Sequence, residues 1–196
     1  MIEWKSGDIF TTSCKTIVNT VNCEGVMGKG LALECKKRYP FMFKTYQYVC
    51  AYGSKAAQNH PVLKEGGDLY FYWNHKVEQD EAWLSYENEL EKVHPSINEA
   101  YDQHHILNFA TKVFWRNQSK LEWIERGLYN FCVNDYEFKG KKYKYYELGP
   151  NNYNKALTSI AWPKLGCSNG GLKWEDVKPL MIKYLDPLPF ICEIYE

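Results

Sequence analysis

Short apolar runs alternate along this chain with stretches whose apolar residues recur at helical period. IEW at 2–4, TIVNTV at 16–21, DLYFYW at 68–73, HHILNFA at 104–110, LTSIAW at 157–162 and FICEIY at 190–195 all read as strands. They are rich in β-branched and aromatic residues, and several are too apolar to keep a solvated face, the pattern of strands covered on both sides. Between them, residues 30–38 open with small residues and end at Tyr39-Pro40, where the proline should stop a helix; 41–51 continue as a second one. Residues 119 to about 132 show Leu121, Ile124, Leu128 and Phe131 on one face, with Ser119 and Glu122 spaced as a capping box. In 175–185, Val177, Leu180, Met181 and Tyr184 share a face, and Pro179 is expected near the first turn or at a bend. Strands alternating with helices predict an α/β sandwich around a central sheet.

Two segments break the alternation. In 74–103, Glu78, Asp80, Glu81, Glu87, Glu89, Glu91, Glu99 and Asp102 face only Lys76 and Lys92, which reads as an acidic, partly helical excursion. Residues 136–147, YEFKGKKYKYYE, read as a lysine-rich hairpin turning at Gly140. No repeat, low-complexity tract or linker divides the chain, and 196 residues suit one domain, 1–196, that carries these two insertions.

Composition narrows the picture only a little. Lys plus Arg and Asp plus Glu are 24 each, so no net charge announces a nucleic acid or a membrane, although a local basic patch is enough for DNA. The seven cysteines are scattered without a CxxC pair, which reads as reduced thiols rather than a disulfide frame or a zinc site. His104 and His105, adjacent on a strand, point to opposite faces, so no metal is expected and no cofactor is implied. No apolar run approaches a membrane span and the N-terminus lacks the layout of a signal peptide. The expectation is a soluble, cytoplasmic protein with no membrane partner.

The candidate chemistry begins at NTVNCEGVMGKGLALECKKRYP, residues 19–40, where an apolar strand runs into asparagines and then glycines before a helix. Glycines let an anion reach the backbone, and the orphan N–H groups and dipole of a helix start bind it. The spacing is neither that of a Rossmann loop nor that of a Walker loop, and the same residues would also suit a tight, well-capped turn. WPKLGCSNGGLKW at 162–174 repeats the layout of strand, glycine loop and helix. Two such loops at the carboxyl ends of strands in one sheet could clasp a diphosphate.

Taken together, GDI at 7–9, IVNTVNCEGVMGKGLALECKKRYP at 17–40 and LGCSNGGLKWEDVKPLM at 165–181 resemble the macrodomain family, whose fold binds ADP-ribose. Within it, GVMGKG, NFATKVFWR at 108–116 and GCSNGGLKW are most similar to the DarG-type branch, antitoxin macrodomains that remove ADP-ribose from DNA bases. The resemblance implies a three-layer α/β/α sandwich with a central mixed sheet of about six strands. It implies that Asp8 accepts a hydrogen bond from adenine with Ile9 beside the ring, although Gly7-Asp8 is also a common turn pair. Asn22 would orient the distal ribose, with Asn19 one strand repeat earlier bracing the loop. Gly25, Val26, Met27, Gly28, Lys29 and Gly30 would wrap the distal ribose and diphosphate. Gly166, Cys167, Ser168, Asn169, Gly170, Gly171 and Leu172 would hold the diphosphate from the other side, and Thr111 joins the ligand set. Tyr195 would pack against adenine, unless it is one more packing residue among sixteen tyrosines.

The resemblance implies a catalytic lysine at Lys112, where NFATK runs out of an apolar strand. In the related eukaryotic terminal ADP-ribose glycohydrolase a lysine at this place attacks the anomeric carbon of the distal ribose. An amine needs a depressed pKa to do that, and a partly desolvated strand end supplies it; a protonated lysine would instead stabilise departing charge. The eukaryotic relative also uses an aspartate in the second glycine loop where this chain has Gly170, a glycine that DarG-like sequences share, and the second acid or base stays unassigned. Ala110 stands where the motif usually has proline.

Phe114 and Trp115 could stack on a base held outside the duplex, with Arg116, Lys120 and the lysines at 139, 141, 142 and 144 as the basic residues available to DNA. They could equally pack under the following helix. The function expected from the resemblance is a hydrolase that cleaves the N-glycosidic bond between ADP-ribose and a nucleobase. Its partners would be ADP-ribose, ADP-ribosylated and preferably single-stranded DNA, and a cognate ADP-ribosyltransferase toxin. Two alternatives share the cleft: an ADP-ribose 1″-phosphate phosphatase, and a module that binds ADP-ribose or a related nucleotide without turnover.

Overall fold

The computed structural model describes residues 1–51, 63–72, 104–138, 141–144, 146 and 158–196; the acidic segment 74–103 and the expected turn at Gly140 lie outside them. The strands are β1 (Ile2–Lys5), β2 (Thr16–Val21), β3 (Leu69–Tyr72), β4 (His105–Ala110), β5 (Asp135–Phe138), β6 (Lys141–Lys144), β7 (Ser159–Pro163) and β8 (Ile191–Tyr195). The helices are α1 (Gly30–Arg38), α2 (Pro40–Ala51), α3 (Leu121–Cys132) and α4 (Trp174–Leu185). Six strands form one mixed sheet in the order β1-β8-β7-β2-β4-β3, parallel throughout except for the antiparallel pair β3–β4. β5 and β6 pair antiparallel as a separate hairpin.

The sheet is apolar on both faces because it is covered on both. Val18, Leu107, Phe109, Ile160, Trp162 and Ile194 point to one side, where they pack with Ile124, Leu128 and Phe131 of α3 and Val177, Met181 and Leu185 of α4. Their neighbours one residue away, Ile17, Ile106 and Ala161, point to the other side, against Cys35 of α1 and Met42, Phe43, Tyr46 and Val49 of α2. That period-two split gives the three-layer α/β/α sandwich expected from the sequence. Trp162 anchors the first layer: it is fully buried and meets Phe131 edge-on at 5.4 Å and Phe109 at 6.5 Å.

Helix α3 lies close on the sheet through a glycine. A β-carbon at Gly127 would stand 2.2 Å from the ring of Phe109, which is itself fully buried and has nowhere to move. Helix propensity favours Gly127→Ala by about 1 kcal/mol, but overpacking a tight contact costs about 1–3 kcal/mol or more. The clash should win. Gly127→Ala is expected to lower the thermal midpoint by about 2–8 °C, read by calorimetry or circular dichroism.

One local expectation is corrected and another is narrowed. Ser119 and Glu122 do not form a capping box. The N-cap of α3 is Lys120 without a side-chain cap, and Glu122 instead pairs with Lys120 at 3.4 Å. Ser119 is drawn away by a distant loop: its N–H donates to the Gly170 carbonyl at 2.8 Å. Pro179 is not in the first turn but inside α4, where its missing N–H deprives the Glu175 carbonyl of its usual helical donor.

Candidate functional site

Parallel strands place their carboxyl ends on one edge of the sheet, and the loops that leave that edge build the site. β2 and β4 are in register along their whole length, Thr16 opposite His105 and Val21 opposite Ala110, so the segments beginning at Asn22 and Thr111 start side by side. β7 lies on the other flank of β2 and leads into the loop 164–172. β1 and β8 end together, Lys5 opposite Tyr195, which brings Asp8, Ile9 and Tyr195 to the same edge.

The first glycine loop is folded by Asn22. Its Oδ1 accepts from the N–H groups of Glu24 at 2.9 Å and Val26 at 3.4 Å, and its Nδ2 donates to the Val26 carbonyl at 2.6 Å. The Tyr46 hydroxyl of α2 braces it from below, 2.8 Å from the Asn22 carbonyl; burial pushes the Tyr46 phenol well above its ordinary pKa, so it stays a neutral donor. Asn19 is fully buried, its Nδ2 donating to Asn108 Oδ1 at 2.9 Å across the β2–β4 register, with Met27 Sδ 3.9 Å away. Asn19 and Met27 therefore lie beneath the loop and brace it, while Val26, Gly28, Lys29 and Gly30 are exposed. α1 begins with no side-chain cap at Lys29 and no acid in its first turn, which leaves its first N–H groups available to an anion.

The second loop is closed by two backbone bonds, from the Leu172 N–H to the Gly166 carbonyl at 3.1 Å and from the Gly171 N–H to the Ser168 carbonyl at 3.2 Å. Gly166 and Gly171 have φ of 69° and 78°, the left-handed region that favours glycine. Gly170 is required for a different reason. A β-carbon there would lie 2.1 Å from the Gly166 carbonyl oxygen and 2.4 Å from Ser119 Oγ. No aspartate fits at this position, so the second acid of the eukaryotic relative has no counterpart at 170.

The two loops touch. A β-carbon on Gly30 would stand 2.8 Å from Asn169 Nδ2, and the Lys112 ammonium donates to the Asn169 carbonyl. Lys112 thus lies where the first loop, the second loop and the end of β4 converge. It is part-buried, and that burial lowers its pKa below the ordinary lysine value. Thr111, beside it, is buried, with its N–H donating to the Val21 carbonyl at 3.0 Å.

At the β1–β8 end of this edge Asp8 is exposed and Ile9 is buried. Asp8 accepts from the Phe10 N–H at 3.0 Å and caps the short 3-10 turn Ile9–Thr11, while its other oxygen lies 3.9 Å from Arg38. Tyr195 is half-buried and donates to Glu193 at 3.1 Å. Burial works against the Glu193 carboxylate, but the Thr12 and Tyr195 hydroxyls and the Lys5 ammonium outweigh it and hold its pKa below the ordinary range. Among the described residues no group of three or more His, Cys, Asp or Glu is placed to hold a metal, no helix is long and apolar enough to cross a membrane, and the cysteines are free.

Three residues that sequence reasoning passed over shape the site. Tyr46 braces Asn22. The Cys23 N–H donates to the Val113 carbonyl at 2.9 Å, its Sγ lies 3.4 Å from the Lys112 carbonyl, and the Glu24 carboxylate accepts from the Trp115 N–H at 2.7 Å. Cys23 and Glu24 are thereby bound to the segment that carries Lys112. No local spacing announces these contacts, because the partners are far apart in the chain.

No family model matches the chain. Among curated proteins, the DNA ADP-ribosyl glycohydrolase of Mycobacterium tuberculosis is 32% identical over 189 residues, which cover 96% of this chain and 40% of that protein. A fusion protein of Thermosipho africanus, DNA ADP-ribosyl transferase-DNA ADP-ribosyl glycohydrolase, is 33% identical over 190 residues, again 96% of this chain and 40% of the relative. The chain therefore spans about 40% of the length of these curated relatives. Among solved structures, the macrodomain of Mycobacterium tuberculosis DarG is 31% identical with a TM-score of 0.65, over 100% of this chain and 97% of that one.

Proposed function

The chain belongs to the DarG macrodomain family, and from that premise we propose that it removes ADP-ribose from DNA nucleobases by hydrolysing the bond between the distal ribose and the base. A further relative in that family, Thermosipho africanus DarTG, has been solved in complex with ADP-ribose; it is 29% identical with a TM-score of 0.68, over 99% of this chain and 41% of that one. The adenine lies against Asp8, Ile9 and Tyr195, the diphosphate between the loops 25–30 and 166–172, and the distal ribose at Asn22 and Lys112. The observation that carries this reading is the position of Lys112, whose amine meets the Asn169 carbonyl at the junction of the two loops. A diphosphate clasped there delivers its terminal ribose to that amine.

In this reading the neutral Lys112 amine attacks the anomeric carbon. The bond to the base nitrogen breaks, its electron pair stays on the base, and the base takes a proton from water. Water then hydrolyses the lysine adduct, which frees the amine and leaves a hydroxyl on the anomeric carbon. The nucleobase stays in the DNA. Burial has already lowered the Lys112 pKa, and the reactive form is the unprotonated one. The rate constant kcat/KM is therefore expected to rise with pH along a limb centred below the ordinary lysine value of about 10.4, measured under substrate-limited conditions. A limb at or above that value would contradict an amine tuned for attack.

A DNA substrate fits the cytoplasmic setting expected from the sequence, and an ADP-ribosyltransferase that modifies the same DNA is the natural partner. The function is tested by offering the protein two substrates. Free ADP-ribose is expected from a single-stranded oligonucleotide that carries ADP-ribose on one base, with ADP-ribose 1″-phosphate left intact. The reverse pattern would make the protein a phosphatase, and tight binding of ADP-ribose with neither reaction would make it a binding module.

A further inference from the structure

We propose that Trp115 is a stacking platform for an unmodified base next to the ADP-ribosylated nucleotide, held in place by Glu24; the inference rests on the DNA glycohydrolase reading. Large apolar side chains are normally buried, yet Phe114 is 53% exposed, Trp115 48% and, across from them on the first glycine loop, Val26 38%. These residues share one rim. Phe114 and Trp115 follow Lys112 by two and three positions, and the segment is fastened to the first glycine loop through Cys23 to Val113 and Glu24 to Trp115. The distal ribose is expected between Asn22 and Lys112, so the nucleotide attached to it must leave the cleft across this rim.

The chemistry of the rim fits a strand of DNA. The Arg116 guanidinium lies 4.7 Å from the Trp115 ring, over one face, and the residue still keeps nearly half its surface exposed. A cation on an indole, beside an exposed ring edge or face, offers a base something to stack on and a phosphate something to pair with. Stacking of this kind is tolerant of sequence and needs unpaired bases, which points to single-stranded substrate. The Glu24 carboxylate, exposed at the loop tip, is engaged by the Trp115 N–H at 2.7 Å, so the indole is presented from a fixed backbone rather than from a free turn. Glu24 is thus a positioning residue that acts through Trp115.

The experiment measures kcat/KM on two substrates, a single ADP-ribosylated nucleoside and a single-stranded oligonucleotide with the same modified base at its centre. The readout is the ratio of oligonucleotide to nucleoside. Trp115→Ala is expected to lower that ratio about tenfold or more, and Trp115→Phe to keep most of it, because a smaller ring still stacks. Glu24→Ala should move the ratio in the same direction, and Glu24→Gln, which keeps an acceptor for the Trp115 N–H, should restore it. An unchanged ratio for Trp115→Ala, whether both substrates are cleaved normally or both fall together, would overturn the platform while leaving the glycohydrolase standing. Failure of the wild-type protein on both substrates would overturn the underlying reading, and this inference with it.

Discussion

Lys112→Ala should lose at least about a thousandfold in release of ADP-ribose from modified DNA, roughly 4 kcal/mol of transition-state stabilisation. Its affinity for free ADP-ribose should stay within about fivefold of wild type, about 1 kcal/mol, in calorimetry. The split follows from where the side chain lies. Most of the surface expected to hold the ligand is backbone, in the two glycine loops and at the start of α1, and Lys112 adds a single amine at their junction. An interaction needed only at the reacting carbon lowers kcat when removed and leaves binding nearly intact. Equal losses in binding and turnover would instead make Lys112 a ligand-gripping residue.

The second large effect lies in the second loop. Gly170→Ala places a methyl group 2.1 Å from the Gly166 carbonyl oxygen, and that oxygen also closes the loop by accepting from Leu172. Neither partner can yield cheaply, because the Gly170 carbonyl is itself tied to the Ser119 N–H. The loop must open. ADP-ribose affinity is expected to fall at least tenfold, and the thermal midpoint by about 4–8 °C for a cost near 2 kcal/mol. Gly170→Asp should behave no better, although it introduces the acid of the eukaryotic relative, since the obstacle is the β-carbon. A Gly170→Asp protein with retained affinity and faster turnover would show that the loop has room that these contacts deny it.

The legibility of this fold in the sequence varied with how local each signal was. TIVNTV is β2 to the residue, because a central parallel strand covered on both faces is rich in β-branched residues, here Thr16, Ile17, Val18, Thr20 and Val21, with the one buried amide, Asn19, paired to Asn108. Residues 30–38 are α1 as expected, since Pro40 marks its end by steric restriction of Tyr39. The capping box at Ser119 failed for the opposite reason: its competitor, the Gly170 carbonyl, lies in a loop that no local window contains.

The same distinction applies to the candidate site. Both glycine loops could be read from composition and position, and Lys112 from resemblance. Burial of Asn19 beneath the loop, the brace from Tyr46 to Asn22, the contact of Gly30 with Asn169 and the clasp from Glu24 to Trp115 are all products of strands brought into register. The lysine-rich hairpin exists as β5 and β6, but its turn at Gly140 lies outside the described residues, as does the acidic segment 74–103.

The most direct test of the central claim is the mass of the DNA after reaction. A single-stranded oligonucleotide carrying one ADP-ribosylated base is incubated with the wild-type protein and, in parallel, with Lys112→Ala, and both strands are then weighed by mass spectrometry. The account predicts that the wild-type protein returns the strand to the mass of the unmodified oligonucleotide, base intact, while the variant leaves the modification in place. A strand that keeps its ADP-ribose with wild-type protein, or one that loses the base along with it, would contradict the claim.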